Sequence, residues 1–187
     1  MRKLKLLLIG SVLGTSMLLP SLAYSDQSDL RLNDLFGVLQ QTDDANLIRN
    51  TENQIWEIWL QHSNADVEQL MLLGTQRMNY QRYTDALAVF TQIIQRFPEY
   101  AEAWNKRATL HYVVGNLDAS IADIEKTLAL EPRHFGALSG LGMVYIQREE
   151  LSKAKQAFED LIRVHPNSPN AQQNLELVTE RLRINII

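Results

Sequence analysis

No cysteine occurs in the 187 residues. That absence excludes disulfides, thiolate metal sites, a cysteine nucleophile and the lipidated cysteine of a lipoprotein. Positive charge is also in short supply: the net charge is −4 and the pI is near 5.6. A general nucleic-acid surface needs a basic stripe, so nucleic acid is set aside as a partner. The four histidines, His62, His111, His134 and His165, stand far apart and form no H-E-x-x-H or similar ligand pair. There is no glycine-rich phosphate loop and no nucleophile elbow. These gaps point away from an enzyme, and no catalytic residue, metal site or cofactor is expected.

What is present is a chain with 45% hydrophobic and 21% charged residues, long enough to bury a continuous core as one domain. Residues 1–25, "MRKLKLLLIGSVLGTSMLLPSLAYS", read as a secretory signal rather than as part of the fold. Arg2, Lys3 and Lys5 form a positive head and residues 6–19 an apolar middle. Ser21-Leu22-Ala23 or Ala23-Tyr24-Ser25 supplies a small-residue cleavage site. Loss of those three cations takes the net charge from −4 to −7. Export without cysteine fits a bacterial periplasm, where an absence of thiols avoids unwanted oxidation. The alternative is a retained membrane anchor, but the apolar run is short for a bilayer and Pro20 ends it. The polar run Asp26, Gln27, Ser28 and Asp29 reads as a short flexible start without a motif.

Beyond this start, the spacing is regular. Pro98, Pro132 and Pro166 recur every 34 residues. The same interval relates Phe90, Ile124 and Phe158, then Ala86, Ser120 and Ala154, then Gly74, Ala108 and Gly142, and also Leu70, Trp104 and Leu138. Each unit predicts a first helix, at about 67–80, 101–114 and 135–148. A second follows at about 84–97, 118–131 and 152–164. Small residues at 74, 108 and 142 face small residues at 86, 120 and 154, which lets the two helices approach closely. Phe90, Ile124 and Phe158, with Leu73, Leu141 and Tyr145, fill the remaining wedge. Each proline lacks an amide hydrogen and drives the preceding residue out of helical geometry, ending the second helix.

A period of 34 with this Trp/Leu, Gly, Ala, Phe, Pro pattern resembles the tetratricopeptide repeat (TPR) across residues 67–168. The third unit matches nearly everywhere. The second carries Arg107 and His111 where Leu and Tyr are usual, and the first carries Arg77 for the Tyr. The resemblance implies an all-α solenoid of three repeats, 67–100, 101–134 and 135–168, whose ends need covers. Ser168 and Pro169 open a capping helix over 169–183, with Ala171, Leu175, Val178 and Leu182 on one side. Its tail, Ile184, Ile186 and Ile187, folds back on the core or makes a dimer contact. At the other end, 30–66 reads as a helical pair, about 30–41 and 45–62, broken at Thr42-Asp43-Asp44. It carries Leu35, Phe36 and Leu39 on one helix and Ile48, Ile55, Trp56, Trp59 and Leu60 on the other. It is expected to be a degenerate repeat or an N-terminal cap, with its tryptophans in the core or forming an exposed aromatic patch.

In this family the first helices of successive repeats line a concave groove that takes a peptide or partner helix. Carried over by position, the resemblance places Glu68, Met71, Thr75, Met78 and Asn79 there from the first unit. The second unit adds Glu102, Asn105, Thr109, Tyr112 and Val113, and the third Ser139, Met143, Ile146 and Gln147. About half should face solvent. Adaptable methionines beside Tyr112 and Asn105 suit a semi-apolar peptide. Chaperone-adaptor relatives grip an acidic C-terminus with basic residues, whereas the matching positions here hold Met71, Thr75, Glu102, Lys106, Gly136 and Gly140. Only Lys106 is basic, and Glu68 and Glu102 would repel such a tail, so a neutral, apolar or basic segment is expected. The function implied is a non-catalytic periplasmic scaffold or adaptor. Alternatives are an accessory factor of an envelope enzyme with a site in the groove, or a membrane-tethered scaffold that keeps residues 1–25.

Other polar residues read as structural. Asp123 and Glu125 lie at helical spacing on an outer, solvated face and point apart. His165, before a helix-ending proline, is expected to be exposed, and His111 packed. Arg133 and His134 are expected to cap carbonyls rather than touch a ligand.

Overall fold

In a computed structural model that describes residues 26–184, the second-helix phenylalanines sit directly on the first-helix glycines. A Cβ on Gly74 would lie 2.6 Å from Phe90 Cε1, and one on Gly142 would collide with the Phe158 ring. Both rings are fully buried, and burying a side chain of that size contributes about 1.5–3 kcal/mol. In the second repeat Ala108 faces Ile124 and Ser120, and the Ser120 hydroxyl donates to the Ala108 carbonyl at 2.9 Å. The buried hydroxyl is thereby satisfied across the helix pair.

These contacts order nine α-helices among the described residues, with no strand. They are α1 (Arg31–Gln41), α2 (Ala45–Leu60), α3 (Ala65–Asn79), α4 (Tyr83–Arg96), α5 (Ala101–Val113), α6 (Leu117–Leu130), α7 (Phe135–Gln147), α8 (Leu151–Val164) and α9 (Pro169–Ile184). The helix pairs α3–α4, α5–α6 and α7–α8 pack in series as an all-α TPR-type solenoid. None of the helices is long and apolar enough to cross a membrane. The proposed signal segment and the tail residues Ile186 and Ile187 lie outside the described residues.

The turns repeat as faithfully as the helices. Within each repeat one residue takes a left-handed conformation: Gln81 at φ 56°, Gly115 at φ 80° and Glu149 at φ 60°. Around each, the next amide closes back to the first helix (Arg82 to Arg77, Asn116 to His111, Glu150 to Tyr145) at 2.8–2.9 Å. This is a Schellman closure, and it satisfies carbonyls that the helix end leaves open. Between repeats, Phe97, Glu131 and His165, each before a proline, have left helical geometry at φ near −138°, −135° and −138°.

The two ends of the array are treated differently. At the C-terminal end α9 packs on α8 and buries Ala171 and Val178, with Leu175 and Leu182 partly covered, as a capping helix should. At the N-terminal end the positions that the repeats bury between them are Ala103 and Leu110 on α5 and Ala137 and Val144 on α7. The equivalents on α3 are Gln69 and Gln76, both exposed. The solenoid therefore starts with a water-compatible face. The hairpin α1–α2 packs elsewhere: it lies against α5, α7 and α8, along the edge where the inter-repeat turns cluster.

Candidate functional site

The face of the solenoid lined by α3, α5 and α7 is built from positions that the repeats leave between their first helices. Of the residues carried over by position, Glu68, Thr109, Asn79, Val113 and Gln147 are exposed. Thr75, Met78, Tyr112, Ser139, Met143 and Ile146 are half-buried. Met71 and Asn105 are buried yet still border open grooves. One groove, of about 240 Å³, runs between α5 and α7 and is bordered by Asn105, Thr109, Tyr112, Ser139, Gly140 and Met143. A second, of about 260 Å³, lies at the start of α3 between Leu60, Glu68, Met71, Thr75 and Lys106. Met78 and Ile146 border neither.

Glu102 departs from expectation. It is 1% exposed and does not face the groove as a negative wall. His134 Nε2 sits 3.0 Å from Glu102 Oε2, the Asn105 amide donates to the same oxygen at 2.9 Å, and the Lys106 ammonium lies 3.1 Å from Oε1. Burial pushes the carboxyl pKa up, but these partners outweigh it and hold Glu102 below the ordinary glutamate value. The other ring nitrogen of His134, Nδ1, accepts from the Ala137 amide at 3.1 Å and so caps the start of α7. Because Nδ1 is an acceptor, Nε2 is the nitrogen that donates to Glu102. Lys106 is therefore neutralised by Glu102, which leaves the groove without a free basic residue at that position.

The reason Glu102 is buried is the hairpin above it. Helix α2 runs from the α8–α9 turn back to the start of α3, across all three repeats. Just before its start the Thr42 carbonyl accepts from Asn167 Nδ2 at 2.7 Å, and at its middle Glu52 binds His165 Nε2 at 2.8 Å. In its last turns Trp56 meets Phe135 edge-on at 5.3 Å, and Trp59 stacks on His134 with ring centroids 4.1 Å apart. At its end the Tyr100 hydroxyl donates to the Leu60 carbonyl, and the His62 ring packs between Phe97 and Tyr100. From α1, Phe36 packs on Phe135, and Arg133 lies over the Phe36 ring while pairing with Glu131. His134 thus caps, but it accepts an amide at the start of α7 rather than covering the carbonyls expected, and Arg133 binds the side chains of Glu131 and Asn33 instead. His165 does not behave as expected: it is 1% exposed, because the hairpin roofs it. The tryptophans belong to this seam, with Trp59 fully buried and Trp56 half-buried.

The carboxylate expected on an outer face also moves inward. Asp123 is 4% exposed and takes a bidentate bond from Arg107 at 2.7 and 2.8 Å. Glu125 is exposed. Arg107, standing where the repeat usually has Leu, brings a charge into the inter-repeat seam, and Asp123 matches it. Burial lowers the His111 pKa against the opposing pull of Asp123, which lies 3.8 Å away and is held by Arg107. Among the described residues no group of three or more His, Asp or Glu side chains is placed to hold a metal ion.

Comparison with known proteins matches this architecture. Two family models described as "Tetratricopeptide repeat" match residues 72–123 and 114–176. A TPR repeat-containing protein of Rhizobium etli is 34% identical over 152 residues, covering 81% of this chain and 74% of that protein. Among solved structures, the first TPR of Spaghetti (RPAP3), bound to an HSP90 peptide, is 20% identical. It superposes with a TM-score of 0.60 over 63% of this chain and 93% of that one. The Yersinia enterocolitica type III secretion chaperone SycD, in complex with a peptide of the translocator YopD, is 17% identical, with a TM-score of 0.60 over 64% of this chain and 96% of that one. The 34-residue recurrence, the glycine–phenylalanine pairs and these matches together establish that the chain belongs to the tetratricopeptide-repeat family.

Proposed function

We propose that this chain is a non-catalytic scaffold or adaptor that holds a segment of a partner protein on the face lined by α3, α5 and α7. The observation that carries the reading is the α5–α7 groove, which is open and bordered by Asn105, Thr109, Tyr112, Ser139 and Met143 without a charged side chain. RPAP3 and SycD, which share the fold, hold peptides in the structures named above. The ionisable groups nearest the groove, Glu102, His134 and Lys106, are committed to one another, which supports binding rather than chemistry. An acidic tail finds no unpaired cation in this groove, so the fitting partner segment is neutral, apolar or basic. A photo-crosslinker placed at exposed Thr109 tests the reading. The expected result is a partner captured by the wild-type groove and at least tenfold less by Tyr112→Asp/Met143→Asp, with helicity unchanged. Capture indifferent to that double substitution would remove the groove from the function.

We also propose that the protein is exported to the periplasm. The support is the residue pattern of positions 1–25: a basic head, an apolar middle and a small-residue site. The mass of the protein recovered from the cell envelope decides it. An N-terminus at Tyr24 or Asp26 is expected, and one at Met1 would favour a tether.

A further inference from the structure

Two glycines one turn apart on α7 meet different surroundings. At Gly136 a Cβ would lie 2.6 Å from Trp56 Cη2, so the α2 indole occupies a notch that only glycine leaves open. The Lys106 ammonium lies 5.8 Å from that ring's centroid. At Gly140 a Cβ would meet only Ile124 Cδ1, at 3.7 Å. This second notch opens into the α5–α7 groove, which Gly136 also borders, so the groove continues directly from the seam where α2 is already seated. Its volume of about 240 Å³ is below the roughly 300–1,000 Å³ of a small-molecule pocket and suits one large side chain instead. No carboxylate, ammonium, guanidinium or imidazole borders it.

We infer that the Gly140 notch is the anchor point for the partner. It takes one uncharged aromatic or large aliphatic side chain from an amphipathic helix that lies on α7 beside α2. This inference rests on the groove reading above and adds to it the anchor position and the kind of segment. Trp56 at Gly136 shows the chemistry that α7 accepts at a glycine: a flat apolar ring, carried by a helix, brought close to backbone. Gly140 repeats the opening four residues on, which is the same helix face. Tyr112 and Met143 then flank the entering side chain, one rigid and one adaptable.

The probe is a synthetic peptide copying α2, residues 45–60, which carries Trp56 and Trp59, with a counterpart in which both are serine. It is titrated into the full chain and followed by backbone NMR. The expected result is shifts centred on Ser139, Gly140 and Met143 for the tryptophan peptide, none for the serine peptide, and at least tenfold weaker binding to Gly140→Leu. Gly140→Ala, which fills the notch partly and favours the helix, should weaken binding less while leaving the melting temperature unchanged or higher. It keeps the test valid if the leucine variant fails to fold. Peptide binding that is lost in Tyr112→Asp/Met143→Asp but untouched by Gly140→Leu and Gly140→Ala would overturn the anchor while leaving the groove. Binding indifferent to all of these variants would overturn both. Absence of binding to the wild type, or shifts confined to Gly136 and the native α2 through displacement of Trp56, would overturn the anchor, and crosslinking at Thr109 would judge the groove separately.

Discussion

The three repeats and the α1–α2 hairpin both bury large aromatic rings, but by different rules. In the repeats each ring faces a small residue at a fixed offset, as Phe90 faces Gly74 and Phe158 faces Gly142. Every such contact is between neighbours in the chain. In the hairpin, Trp59 stacks on His134, Phe36 meets Phe135 and Glu52 binds His165, all contacts that skip over one or more repeats. A solenoid held only by nearest neighbours behaves as a sum of local terms and can open from an end. A helix that touches the start of α3, the start of α7 and the end of α8 couples units that otherwise ignore one another. The hairpin is thus a strap along the array, and the cooperativity of the whole is expected to depend on it.

The largest effects should come from removing one ring of each kind. Phe158→Ala and Trp59→Ala should each cost about 3–5 kcal/mol. The difference should lie in where protection is lost. Phe158→Ala should speed amide exchange first in α7, α8 and α9, with α3 and α4 less affected. Trp59→Ala should raise exchange at the start of all three repeats and broaden or split the urea transition. A single sharp transition and a cost under about 1 kcal/mol for Trp59→Ala would reduce the hairpin to an appendage and break the comparison.

Next in size is the charged seam inside the second repeat. Arg107→Leu places the residue usual for the repeat but strands the carboxylate of Asp123 in a buried site. A loss of about 3 kcal/mol is expected, because an unpaired buried charge costs more than the pair contributes. Adding Asp123→Leu should recover most of that loss. A double variant no better than the single would show that Thr91, which also accepts from Arg107 at 3.2 Å, and not the carboxylate, sets the requirement.

The contrast also explains which contacts are legible in the sequence. A repeat writes its contacts into the sequence several times, so the pairing of Gly142 with Phe158 and the stop at Pro166 announce themselves through Gly74, Phe90 and Pro98. The hairpin writes its contacts once, between residues such as Asn33 and Arg133 or Thr42 and Asn167 that lie far apart. Nothing local at His165 or Glu102 reveals a roof. Signals did exist: Gln69 and Gln76 stand where the second repeat buries Ala103 and Leu110, which marks that face of α3 as compatible with water. The histidines His134 and His165 sit at successive inter-repeat junctions, where a shared partner could be sought. The left-handed turns were half legible, since Gly115 advertises its conformation while Gln81 and Glu149 do not.

Acid should act on both regions, with a separable signature. His62 lies at the end of the strap, with its Nδ1 accepting from the Asn64 amide at 3.1 Å. Burial lowers its pKa, against the raising influence of Glu99 and Glu68. His111 is lowered by burial within the second repeat. For each, the unfolded chain takes up the proton first. The stabilisation is therefore complete above about pH 6.5 and is lost as pH falls from there towards the lower folded values. Thermal midpoints should drop between pH 7.5 and 5.5. His62→Phe keeps a ring between Phe97 and Tyr100 and should flatten part of that slope. His111→Tyr, which restores the residue of the third repeat, should flatten another part. An unchanged slope in the double variant would show that neither histidine sets the acid response.

The smallest effect tests the repeats against themselves. Gln81, Gly115 and Glu149 adopt the same left-handed turn, but only glycine does so without a Cβ penalty. Glu149 also pairs with Arg181, so Gln81 is the cleaner site. Gln81→Gly should stabilise by about 0.5–1 kcal/mol, because relief of the left-handed strain exceeds the added chain entropy of glycine. Gly115→Ala, with open space around its missing Cβ, should destabilise by about 1 kcal/mol through backbone strain alone. Opposite signs at equivalent turns would show that the three repeats share one backbone solution and differ only in how well each residue suits it. Equal signs would mean that the Gln81 side chain contributes something the turn geometry does not contain.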